Sequence, residues 1–100
     1  MQKFSEVEIM AALTGLPGWS LQDGKLFREY LFLSFMEALA FVNRVAALAE
    51  KRDHHPDIDI RYKRVVLSLV THDANGVSQR DVAFASSLKG QEDSAVSIIS

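Results

Sequence analysis

Residues 25–51 read KLFREYLFLSFMEALAFVNRVAALAEK, and the fold turns on where their hydrophobic period changes. Up to Leu33 the spacing is close to two. Leu26, Tyr30 and Phe32 share one face with Arg28, and Phe27, Leu31 and Leu33 share the other with Glu29. Side chains alternate across a strand, so this pattern predicts a strand from Lys25 to Leu33. A strand apolar on both faces is either covered on both sides or placed at a subunit contact. From Ser34 the period becomes 3.6. Ser34 and Glu37 have the spacing of a capping box, and the helix is predicted to run to about Lys51. Phe35, Ala38, Leu39, Val42, Val45, Ala46 and Ala49 form one apolar face, widened by Phe41 and Leu48. Met36, Ala40 and Ala47 form a second patch of mostly small residues. One core needs only the first face. The second is either a contact for a partner helix or alanine used as a good helix former on the surface.

Outward from this stretch the chain reads as alternating elements. Ser5 and Glu8 form a capping box for a short helix over residues 5–14, with Ile9, Ala12 and Leu13 at helical spacing, ended by Gly15, Pro17 and Gly18. Trp19 to Leu21 reads as a strand, and Asp23-Gly24 is a two-residue hairpin signal leading back into Lys25. After the long helix comes a loop over Asp53 to Asp57, fixed by Pro56. Ile58, Ile60 and Tyr62 alternate with charged residues, as in a half-buried strand, and Val65 to His72 is predicted as its neighbour. Asn75-Gly76 marks a turn. Ser78 and Asp81 start a last helix that Gly90 ends. Residues 91–100 show no clear regular structure. The order αββαββα predicts an α+β fold, a four-stranded antiparallel sheet with helices packed on one face. We read residues 1–90 as a single domain and residues 91–100 as a tail of unknown role.

Composition narrows the classes of function. One hundred residues, 48% of them hydrophobic, suit one domain with one core. Eleven basic and thirteen acidic side chains lack the excess of positive charge of a direct nucleic-acid binder. With no cysteine, disulfides and thiolate zinc sites are excluded. The first residues carry no apolar stretch after Lys3, so no signal peptide is expected. Leu31 to Ala49 is interrupted by Glu37, Asn43 and Arg44 and does not reach the length of a membrane span. A soluble, cytoplasmic protein is expected.

The chemistry-bearing residues are the three histidines. His54 and His55 lie side by side in the loop before Pro56, and His72 lies two strands later. In a small antiparallel sheet the end of that later strand returns beside the loop, so three imidazoles can meet at one end of the sheet. Asp81, in the first turn of the last helix, and Glu50, at the end of the long helix, can join them. Imidazole changes charge near neutral pH, so a cluster can hold an acid and a base together, and a carboxylate beside a ring fixes its tautomer. Taken alone, an adjacent pair in a loop is more often solvated polar sequence. A three-histidine zinc site is the sharper rival, although adjacent side chains diverge in extended backbone and chelate one ion awkwardly. No metal site is expected.

Glu50, His54-His55-Pro56, Tyr62, His72 and Asp81, in this order and spacing, resemble the signature of the pterin-4a-carbinolamine dehydratases. Gly18-Trp19, Phe41 with Val45-Ala46, Pro56-Asp57-Ile58 and Thr71-His72-Asp73 are similar as well, and the likeness spans roughly residues 5–90. Two places depart from it. Asp73 to Ser78 replaces a Gly-Gly-Leu-Thr stretch common in relatives, and Lys63 stands where relatives often carry Asn.

The resemblance implies a hydro-lyase that converts 4a-hydroxytetrahydropterin to quinonoid dihydropterin in the recycling of an aromatic amino-acid hydroxylase cofactor. The pterin is then the substrate, and no cofactor is implied. By analogy, His54 and His72 are acid–base residues and His55 contacts the substrate hydroxyl or ring, the individual roles being exchangeable among the three. Asp81 orients a histidine or the site's hydrogen bonds, and Glu50 and Pro56 shape the loop. The resemblance also implies a homodimer or homotetramer assembled through a sheet edge and the helix over residues 35–49. Two alternatives stay open. One is a non-catalytic binding or dimerisation scaffold of the same fold. The other is an enzyme acting on a different pterin.

Overall fold

The computed structural model describes residues 2–92 and 95–99. Helix α1 spans Glu6–Leu13, strands β1 and β2 span Ser20–Gln22 and Lys25–Phe32, and helix α2 spans Phe35–Arg52. Strands β3 (Asp57–Arg61) and β4 (Arg64–Leu69), helix α3 (Gln79–Ser87) and strand β5 (Ala95–Ile99) follow. The sheet is antiparallel throughout, in the order β1-β2-β4-β3. The expected α+β order αββαββα is therefore the observed one.

Local signals account for most boundaries. The Ser5 amide donates to Glu8 Oε1 at 2.7 Å and the Ser5 hydroxyl accepts from the Glu8 amide at 3.1 Å, a complete capping box. At Ser34 only half of the expected box forms, with the hydroxyl accepting from the Glu37 amide at 3.1 Å. Asp23 and Gly24 have φ of 51° and 75°. Two successive positive values are what a type I′ hairpin turn requires, and this turn sets the register Ser20 to Phe27.

One face of the sheet is the core. Leu26, Arg28, Tyr30 and Phe32 of β2 are buried, as are Val65, Leu67 and Leu69 of β4. Against them pack Ala38, Phe41, Val45 and Ala49 of α2 and Phe84, Ala85 and Leu88 at the C-terminal end of the fold. The rings of Tyr30 and Phe32 lie 4.7 Å and 5.1 Å from that of Phe41. The buried stripe of α2 is rotated toward Phe41 relative to the expected face. Phe35 and Ala46, expected inside, are exposed. The aromatic side chain of Phe41 reaches deeper into the sheet than any alanine and draws its side of the helix inward. On the opposite face of the sheet Phe27, Glu29 and Leu31 are only half-buried, so the second face of β2 is not covered as the first is.

Three further features differ from the sequence expectation. Tyr62 is not a strand residue. It sits in the turn between β3 and β4 with φ of 53° and is exposed. β4 stops at Leu69 rather than His72, because its partners run out there. Leu69 pairs with Leu26 near the start of β2, and Ser68 pairs with Asp57 at the start of β3. The chain then closes a small loop by pairing Thr71 with Gly76, and His72 to Ala74 form a single 3₁₀ turn. Finally, residues 95–99 form β5. β1 pairs with residues 25–27 of β2, and β5 pairs antiparallel with Glu29 to Phe32. Because β4 holds the other side of β2, β1 and β5 share one edge position end to end.

Candidate active site

The site is built where α2 ends. Asp53 closes the helix in the left-handed conformation, with φ of 50°, and its amide donates back to the carbonyls of Ala49 and Glu50. The His54 amide also returns to the Ala49 carbonyl, at 3.1 Å. This reversal turns His54 inward, where it is buried, and leaves His55 exposed. Adjacent side chains diverge, so the pair is divided between two environments.

Behind His54 stands Asp81. Its Oδ1 lies 2.6 Å from His54 Nε2. Its Oδ2 accepts from the Ser78 amide at 2.9 Å and from the Thr71 hydroxyl at 2.8 Å. Thr71 has one hydroxyl proton, which goes to Asp81. The 2.7 Å contact between the Thr71 and Ser78 hydroxyls is therefore donated by Ser78. Thr71, Ser78 and Asp81 are all buried. An ionised carboxylate is acceptor-only, so with Asp81 as the carboxylate the proton in the His54 contact belongs to Nε2. The basic lone pair of a neutral His54 is then on Nδ1. The residue that completes the capping box of α3 thereby also fixes the tautomer of a histidine 27 positions earlier.

His55 Nε2 lies 2.5 Å from Glu50 Oε2, and both side chains are more than half exposed. His72 is exposed at the start of the 3₁₀ turn. The three histidines line one open pocket of about 230 Å³ with Asp53, Val70, Thr71, Asp73 and Arg80. Glu50 reaches it through His55 and Asp81 through His54. Pro56 follows the pair without lining the pocket. Tyr62, part of the sequence signature, lies at the far end of the β3–β4 hairpin. Five lining residues, Asp53, Val70, Thr71, Asp73 and Arg80, were not among the site residues expected from sequence. Arg80 donates from Nη2 to the Asp53 carbonyl at 2.6 Å, tying the start of α3 to the end of α2. The available signal was position alone, since Arg80 precedes Asp81 and Asp53 precedes His54. Among the described residues, no group of three His, Asp or Glu side chains is placed to hold a metal ion. No helix among them is long and apolar enough to cross a membrane.

Fold and site together define a small α+β domain with three histidines at one open pocket, one of them braced by a buried carboxylate. Comparison with known proteins narrows the class. Residues 2–90 match the model of the family "Pterin 4 alpha carbinolamine dehydratase". A protein of Thermomicrobium roseum assigned as a pterin-4-alpha-carbinolamine dehydratase is 51% identical over 88 residues, covering 88% of this chain and 95% of its own. A counterpart in Mycobacterium avium is 46% identical over 90 residues, covering 90% and 96%. The crystal structure of a transcriptional coactivator/pterin dehydratase from Brucella melitensis superimposes with a TM-score of 0.86 at 35% identity, covering 91% of this chain and 99% of that one. A pterin dehydratase-like protein identified as a RuBisCO assembly factor in the alpha-carboxysome has a TM-score of 0.65 at 26% identity, covering 76% and 90%. The chain belongs to the pterin-4a-carbinolamine dehydratase family, whose enzymes are hydro-lyases.

Proposed function

We propose that this chain removes water from a 4a-hydroxytetrahydropterin by histidine acid–base catalysis. The observation that carries the reading is the convergence of His54, His55 and His72 on one pocket, with His54 braced from behind by Asp81. Loss of water needs two proton movements. The N5–H proton leaves and its electron pair becomes the N5–C4a double bond. The C4a–O bond breaks, its electrons stay with oxygen, and a proton delivered to that oxygen completes the water. The products are quinonoid dihydropterin and H₂O, and the base and acid exchange one proton overall.

His54 and His72 are the acid–base pair of this proposal, and their roles are exchangeable. The His54 tautomer presents Nδ1 as the basic atom, and His72 lines the same pocket from an exposed position. His55 contacts the substrate hydroxyl or ring from the mouth of the pocket, steadied by Glu50. Pro56 and Asp53 hold the loop in shape. Neither proton step requires a Lewis acid. The place of the reaction is the regeneration of a pterin that an aromatic amino-acid hydroxylase has hydroxylated, in the cytoplasm. Exposed Phe35 and Met36, beside Ala40, Ala46 and Ala47 on α2, support self-association through that helix.

The test is dehydration of 4a-hydroxytetrahydropterin generated in situ, with and without a chelator. Wild type should accelerate it under both conditions, and His54→Ala and His72→Ala should each lose most of the acceleration. A folded wild-type protein with no acceleration would sink the reading. The likeness to the carboxysomal assembly factor favours a second one, a scaffold that keeps the fold without the chemistry. An inactive protein that still forms a defined oligomer would select it.

A further inference from the structure

Away from the histidines, a cavity of about 350 Å³ opens beside the edge of the sheet that carries β1. Leu16, Pro17, Trp19 and Ala85 supply its apolar wall, Lys89 is at its rim, and Arg28 and Glu92 complete it. Arg28 is out of place by the logic of burial. It occupies a core-facing position of β2 between Leu26 and Tyr30, and its side chain is only 5% exposed. Nη1 donates to Glu92 Oε2 at 2.8 Å, and the guanidinium lies 4.6 Å from the centre of the Tyr30 ring. Its Nε is buried without a hydrogen-bond partner.

A buried ion pair seldom stabilises a fold more than apolar residues of the same volume, and an orphaned N–H costs more. Arg28 is thus a poor choice for holding the core together. It is a good choice for holding a ligand. Glu92 serves it incompletely, since the same oxygen that accepts from Nη1 also accepts from the Tyr30 hydroxyl. A free carboxylate can take a guanidinium with two parallel bonds, a stronger arrangement than a shared single oxygen. The cavity carries two cationic side chains against one carboxylate, and an indole on which a ring can pack.

We propose that this cavity binds a small organic carboxylate with an apolar or aromatic body. The carboxylate engages Arg28 and is drawn in by Lys89, the body lies against Trp19 and Pro17, and Glu92 is a tethered competitor that the ligand displaces. This site is separate from the histidine pocket and does not depend on the reaction proposed there.

Trp19 is the single tryptophan of the chain, so its fluorescence reports on this cavity directly. Full-length protein is titrated with phenylacetate, and with 2-phenylethanol as the uncharged control. The expected result is a saturable change with phenylacetate alone. Binding should weaken about tenfold or more in Arg28→Met, the loss of a charge-assisted contact, and about two- to threefold in Lys89→Met, the loss of a screened attraction at the rim. It should tighten several-fold in Glu92→Ala, because a competitor is removed. The gain in Glu92→Ala is the decisive sign, since a merely structural Glu92 would yield a weaker protein and no better binder. Should Arg28→Met fail to fold by circular dichroism, Lys89→Met and Glu92→Ala carry the test. The proposal is overturned by a flat titration in wild type and Glu92→Ala, by an equal response to 2-phenylethanol, or by weaker binding in Glu92→Ala.

Discussion

Asp81 Oδ1 and His54 Nε2 meet at 2.6 Å inside the protein, while the other oxygen of the same carboxylate caps helix α3. One side chain therefore serves the fold and the site at once, and substitutions can separate the two uses. Asp81→Ala orphans the Ser78 amide, the Thr71 hydroxyl and His54 together and should cost about 3–5 kcal/mol in urea denaturation. Asp81→Asn keeps an acceptor for the cap and should cost less. Its amide, however, presents a donor to Nε2, which moves the imidazole proton to Nδ1 and removes the base of the proposed mechanism. Asp81→Asn should then lose roughly 10²-fold or more in dehydration rate while remaining folded. An active Asp81→Asn would show that the tautomer does not matter.

Tyr30 gives a pH prediction. Burial, and then the Glu92 carboxylate that its hydroxyl bonds, push the phenol far above its ordinary value of about 10. Below pH 10 the proton is bound in both the folded and unfolded chain and stability does not change on its account. Above pH 10 the unfolded chain loses that proton while the folded one keeps it. Stability should then fall by about 1.4 kcal/mol per pH unit from this residue. Tyr30→Phe removes the slope. Denaturation of the two proteins between pH 9 and 11 measures the difference, and parallel curves would contradict the assignment.

Asp53 holds a left-handed backbone that glycine adopts without a steric cost. Asp53→Gly should raise stability by about 0.5–1 kcal/mol, read as a shift in the urea midpoint at unchanged slope. The Arg80 contact is made to the Asp53 carbonyl, not to its side chain, and should survive. A loss of dehydration rate in this stabilised variant would show that the Asp53 carboxylate itself takes part at the pocket.

The exposed apolar patch on α2 is tested by charge. Met36→Glu is at an exposed position and should alter monomer stability by no more than about 0.5 kcal/mol. If α2 is a contact between copies, sedimentation velocity will show the variant at a lower mass than wild type. Equal mass for the two proteins would assign the patch to solvent.

What was legible in the sequence was what depends on neighbours along the chain. Period changes at Leu33 and Ser34, the Asp23-Gly24 hairpin and the Ser5 and Ser78 caps are local, and each element they mark is present. The histidine cluster was legible because chain order alone returns His72 to the loop that bears His54 and His55. What was not legible depends on partners distant in sequence. The end of β4 is set by where β2 and β3 begin, so a strand through His72 was the natural reading of alternation that continues past its partners. Tyr62 continues the alternation of β3 but is needed for the turn. The rotation of α2 follows from the reach of Phe41 into the sheet. Arg28 lay hidden within a strand face that otherwise reads as core, and β5 has meaning only once β2 is seen to be half unpaired.

That half-filled edge has a consequence for how copies of the chain meet. β1 has three residues against eight in β2, so the main-chain groups of Glu29 to Phe32 that face away from β4 would lack a neighbour if β5 were elsewhere. A strand from a second molecule satisfies the same groups, and two strands cannot do so at once. β5 therefore occupies the place that a strand from another copy would need, and the Arg28–Glu92 ion pair lies just ahead of it in the chain.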